Sequence, residues 1–290
     1  MNRSVLPAVV LVFLGALLWQ QRAVAQTVHY VDNIRTCDGL TPCYPAIMDA
    51  VAAAAGGDTI AVFPGVYHET VVLAGKDGIV LKAHDEALPP VIAATAGASN
   101  AVEIAASTGV EVRRFLLEAP EAAGVAVNGG GSSGTVIQGN VVLALAGLTL
   151  KGSTSCTASS NTILGGGIAL TSGNRCFVEG NTVEGAGITL GGDPSGVKHT
   201  VLQQNLVRGG GISLSGKNLK GNTVEANVVS GSAGDGILLR VTNGGPGNVV
   251  QDNTSIESAS HCDIDDRSSG LVHNTWANNR FATKCGAASE

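Results

Sequence analysis

The chain has 290 residues, 44% of them hydrophobic but only 3% aromatic and 14% charged, with 40 glycines. Glycine on this scale among small and β-branched apolar residues suits short strands and tight turns and excludes a fold of long amphipathic helices. A net charge of −6 argues against nucleic acid binding, which wants the opposite sign and a clustered basic face.

In chain order, the first predicted element is a cleavable export signal at residues 1–25. Arg3 precedes an apolar run from Val5 to Trp19, and Ala23-Val24-Ala25 offers a small-residue cleavage site. The run is shorter than the roughly 18 apolar residues needed to cross a bilayer, and it ends in Gln20-Gln21-Arg22. The predicted mature chain starts at Gln26, is secreted or periplasmic, and has no membrane partner.

Six cysteines, an even number in an exported chain, predict three disulfides. A metal-thiolate site is the competing reading, and no CxxC pair supports it. Residues 26–57 read as an entry strand, a small loop clipped by Cys37 and Cys43, and a short capping helix from Pro45 to Ala53 that stops before Gly56-Gly57.

Residues 58–275 carry a repeat. The pattern Gly-(Ile/Val/Leu)-x-(Leu/Val) recurs at Gly78, Gly124, Gly147, Gly167, Gly187, Gly211 and Gly236, with degenerate copies at Ala101 and Asp263 and coil-to-coil spacings of 20 to 27 residues. Asn140, Asn161, Asn181, Asn205, Asn227, Asn253 and Asn274 keep step with it. Asparagine amides stacked rung on rung can hydrogen-bond into an internal ladder. Each coil then reads as short period-2 strands, apolar inward, stacked at about 4.8 Å per rung. The fold class is all-β: a single-stranded right-handed parallel β-helix of about eight or nine coils with a short N-terminal capping helix.

The cysteines check this phase independently. Cys156 and Cys176 each lie five residues before a ladder asparagine, Asn161 and Asn181, so they share a column on adjacent rungs, within the ~4.4–6.8 Å Cα separation a disulfide accepts. Cys262 and Cys285 would tie the last full rung to the tail. Residues 276–290 form the C-terminal cap, where Trp276 and Phe281 are bulky enough to cover the open core.

With its entry strand Val28-His29-Tyr30-Val31-Asp32, the stretch Gly57-Asp58-Thr59-Ile60 followed by Pro64-Gly65-Val66-Tyr67, and the Asn/Gly-Ile-x-Leu coils, the chain resembles the pectate-lyase-like superfamily of exported bacterial right-handed β-helix proteins. The resemblance covers nearly the whole mature chain and implies the fold. Its implication for function is broader, since the superfamily includes lyases, galacturonases, epimerases, esterases and adhesins. The Asp-Pro-His-Asp stretch of alginate epimerases and the Gly-His-Gly and Asn-Thr-Asp signatures of galacturonases are missing.

The repeat phase places an outward column at Glu103, Ala126, Thr149, Ala169, Thr189, Ser213, Leu238 and Asp265. The last two rungs gather charge on this face. Arg240, Arg267, Asp265 and Asp263 are the candidate catalytic residues, with Asp235, His261, Lys198 and His199 as candidate substrate-binding residues. A lyase would use an arginine as base, with calcium the one cation the aspartates invite; a hydrolase would use Asp263 and Asp265 as its carboxylate pair. No residue is assigned as a metal ligand and no cofactor is required. The expected function is engagement of a polysaccharide, with enzymatic action on an acidic glycan as its catalytic form. A non-catalytic structural or surface-interaction β-helix is the alternative, in which these charges protect the end rung.

Overall fold

The computed structural model describes residues 26–95, 97, 99–128, 131–192, 195–242, 245–259, 262–269 and 272–288. The predicted signal and His261 lie outside them. No helix among the described residues is long and apolar enough to cross a membrane.

Alternating apolar residues close the chain into a right-handed parallel β-solenoid of about nine turns. Each coil presents three faces. The first is a 12-stranded parallel sheet, and the second and third meet at a tight corner as one 18-stranded sheet. The core is built of columns. On the first face Leu81, Val112, Ile137, Ala158, Val178, Leu202, Val224 and Val250 stack in register, and Trp276 ends the series. On the third face Leu150, Leu170, Leu190, Leu214 and Leu239 stack likewise, with Asp266 at the position of the next leucine.

The predicted asparagine ladder is present and fully bonded. Each amide donates to the next asparagine's Oδ1 from Asn140 through Asn161, Asn181, Asn205, Asn227 and Asn253, at 2.9–3.1 Å. Its last rung is Asn279, not Asn274. Asn274 instead ends a second ladder, Asn222–Asn248–Asn274, at the corner before the first face. The left-handed residue at each turn is the one before the ladder asparagine, as at Gln204 (φ 54°) and Ala226 (φ 53°).

The capping helix α1 spans Ile47–Ala53 and buries Ile47, Ala50 and Val51 over the first rung. It starts two residues later than predicted because its N-terminal cap comes from another coil. Glu69 accepts the Ile47 and Met48 N–H groups at 2.8 and 2.9 Å. All three expected disulfides form, and Cys156 and Cys176 have their Cα atoms 4.4 Å apart.

Candidate functional site

The corner between the second and third faces is made by a glycine column. A side chain at Gly147, Gly167, Gly187 or Gly211 would collide with the backbone of the neighbouring coil, so the chain can turn this sharply only without a Cβ. The sharp turn leaves a groove running along the stack. Two adjoining cavities, of about 110 and 270 Å³, share Ala186 and Thr189. Together they run from Leu145 past Thr189, Ser213 and Leu238 to Asp235.

The outward column predicted from the repeat is confirmed rung by rung, from Glu103 to Asp265. At the groove's C-terminal end the structure brings together Asp235, Asp265 and Arg267. The Arg267 Nε sits 2.5 Å from Asp265 Oδ2, and its terminal nitrogen lies 3.4 Å from Asp235 Oδ2. Oxygen atoms of the two carboxylates lie within 4.8 Å of each other. The Asp265 side chain is 0% exposed and the Arg267 side chain 47%. Neither Asp265 oxygen makes a well-formed hydrogen bond, so the Arg267 contact is an ion pair rather than an aligned bond. Burial raises the Asp265 carboxyl above its ordinary range; Arg267 offsets only part of this, and Asp235 and Asp266 add repulsion.

The other candidates are placed differently. Arg240 is exposed on the rung below Arg267, whose N–H donates to the Leu239 carbonyl. Asp263 is directed to the backbone, where its carboxylate accepts N–H bonds from Ala282, Thr283 and Ser258 at 2.9–3.2 Å. Burial alone would raise its pKa, but these bonds outweigh it and hold the group low. Asp263 is thereby an anchor for the last turn, not the partner of Asp265. Lys198 and His199 lie on the far corner, between the third and first faces, in a bridge column with Asn174 and Lys220. Asp266, next to Asp265 in the chain, points into the core and accepts bonds from Trp276 Nε1, Asn274 Nδ2 and the Ser268 N–H, each at 3.0 Å.

A family model described as "Periplasmic copper-binding protein (NosD)" matches residues 57–287. Among curated proteins none matches the chain in sequence. The fold is similar to that of an alginate lyase from Paenibacillus sp. (TM-score 0.56, 13% identity, 91% of this chain and 98% of that one). It is also similar to an exopolygalacturonase from Thermotoga maritima (0.59, 11%, 79% and 73%) and to a pectate lyase (0.54, 14%, 88% and 79%). At such identities the likeness is one of fold alone.

Among the described residues no cluster of three thiolate, thioether or imidazole donors is present, and so no group of them fits copper. Copper selects thiolate, thioether and imidazole donors. All six cysteines are in disulfides, and the Met48 sulfur receives the Val72 N–H at 3.2 Å. Among the described residues the one group of three potential ligands is Asp235, Asp265 and the disulfide-bound Cys262, a hard-oxygen set with a guanidinium already between its carboxylates.

Proposed function

Because the chain belongs to the NosD family of periplasmic proteins, as the match over residues 57–287 establishes, we propose that it acts outside the cytoplasm by holding a polysaccharide strand along the glycine-corner groove. The observation that carries this reading is that the groove ends at a carboxylate pair bridged by Arg267. Small side chains along the floor let a chain lie close to the rungs.

The chemistry that the pair supports is acid–base hydrolysis. A buried carboxyl whose affinity for a proton is raised by its surroundings can pass a proton to a glycosidic oxygen, and a nearby ionised carboxylate can activate water or stabilise positive charge on the sugar. Asp265 suits the first role and Asp235 the second. Elimination is less well served, because Arg267 is fixed as a cation by two carboxylates and a guanidinium does not release its proton in proteins. The full burial of Asp265 beneath Arg267 favours a second reading, a binding scaffold without turnover.

Mature protein incubated with pectate, alginate and neutral glycans should release reducing ends without the ultraviolet absorbance of unsaturated products, and Asp265→Asn should abolish that release. Unsaturated products would instead establish a lyase. Binding without any release would leave the scaffold reading standing, and neither binding nor release would remove polysaccharide from consideration.

A further inference from the structure

A second site stands on the first face near the N-terminal end, away from the groove. Lys82, Arg113 and Gln138 occupy one outward column on three successive rungs. Arg114, held in the left-handed conformation at φ 65°, adds a third cation at the edge of the same face. These four line a cavity of about 220 Å³ together with Glu86. Further along the column the outward residues are Ser159, Glu179, Gln203 and Glu225, so within this column positive charge is confined to the N-terminal rungs.

The cations are not used up by neighbouring acids. Glu111 binds a terminal nitrogen of Arg113 at 2.6 Å, but the Arg113 Nε is buried and meets no acceptor. A buried donor left in this state is unfavourable, and an incoming oxyanion would relieve it. Arg114 reaches Glu86 only at 3.6 Å, between side chains that are 52% and 71% exposed. Glu86 also borders an adjoining cavity of about 410 Å³ whose wall is the stacked pair Phe63 and His84, with ring centroids 4.0 Å apart, and whose rim carries Asp38 and Asp85. An aromatic wall with carboxylate acceptors is suited to the C–H face and hydroxyls of a sugar, and a fork of guanidinium groups to its carboxylate or sulfate.

We propose that the Lys82–Arg113–Arg114 cavity binds the oxyanion of an acidic saccharide whose neighbouring sugar lies against the Phe63–His84 wall. Calorimetric titration of the mature protein at low salt tests this with trigalacturonate, neutral galactotriose and sodium sulfate. Trigalacturonate is expected to bind, to weaken as salt is added, and to outcompete both controls. Arg113→Gln and, as the exposed and structurally safer change, Arg114→Gln should each weaken it about tenfold, the worth of one charge-assisted bond. Ser213→Trp, which plugs the groove, should remove only the groove's share of the binding and leave the arginine-sensitive component of the titration unchanged, so failure of the groove reading and failure of this one are separable. No binding to the wild type, or binding to both arginine variants as tight as to the wild type, overturns the site. Loss in Ser213→Trp alone assigns the ligand to the groove and also overturns it. Sulfate binding as tightly as trigalacturonate overturns the saccharide half.

Discussion

Asp265 and Asp266 are adjacent in sequence and opposite in physics. Asp266 replaces a core leucine and is repaid by three donors; burial raises its pKa, but the bonds from Asn274, Trp276 and Ser268 outweigh that and hold it low. Asp265 is buried without such bonds, and its pKa is raised. Asp266→Asn should therefore lower stability by about 1–3 kcal/mol, the range for a lost buried charge-assisted bond. Asp265→Asn should raise the urea midpoint at pH 7, because it removes an ionisable group that the fold disfavours while half-exposed Arg267 keeps Asp235. A lower midpoint for both variants would refute the contrast. The pH dependence follows with definite sign. Asp32, Asp58, Asp263 and Asp266 all titrate below their ordinary value, since hydrogen bonds outweigh burial. Their stabilisation is complete above the unfolded carboxylate pKa of about 4 and is lost as pH falls through the lowered native values. Urea midpoints should fall steeply between about pH 4 and pH 2, and Asp58→Asn, which removes the charge and one of the two acceptor oxygens serving Thr27, Ala55 and His29, should flatten that fall. A midpoint independent of pH in that range would contradict the assignment.

At the scale of elements, the ladder asparagines set the register. Asn205 donates to the Val178 carbonyl and to Asn227, and accepts the N–H and side-chain amide of Asn181. Asn205→Leu has similar bulk but strands these partners, so a loss of about 3 kcal/mol is expected, larger than for any single exposed substitution. Chemical denaturation followed by circular dichroism checks it; a change under about 1 kcal/mol would mean that water replaces the amide readily. The sequence made the ladder legible because its step matches the glycine motif for six rungs. It became illegible at the seventh, where two asparagines, Asn274 and Asn279, compete for one position and only the three-dimensional column decides. Glu69 was illegible for a related reason. It lies 22 residues from the N–H group it caps, and nothing in its local sequence marks it as a helix cap.

At the scale of the whole molecule, a solenoid's rungs touch mainly their neighbours, so stability is close to a sum of rung and interface terms and failure can be local. This is also why the period was enough to read the outward columns from Glu103 to Asp265, while the groove was not: its depth comes from where the glycine corner bends the backbone, and the cation site depends on how Arg113 and Arg114 lie across rungs. The two long-range disulfides should then behave differently. Cys156–Cys176 joins adjacent rungs in mid-stack, and replacing both with serine should weaken the whole stack by about 3 kcal/mol, the entropy of closing a loop of this size. Cys262–Cys285 joins the strand Lys284–Gly286 to the rung that carries Asp265. Cys285→Ser together with Cys262→Ser should raise hydrogen exchange in that last turn and around Asp263–Arg267 while leaving the rungs before Asn227 protected. Because Asp265 is covered by this turn, the same variant should lower its pKa by admitting water and reduce any activity that depends on its proton. Exchange rising equally along the chain would show that the rungs unfold as one unit, and the independence of the two ends argued from nearest-neighbour packing would fail.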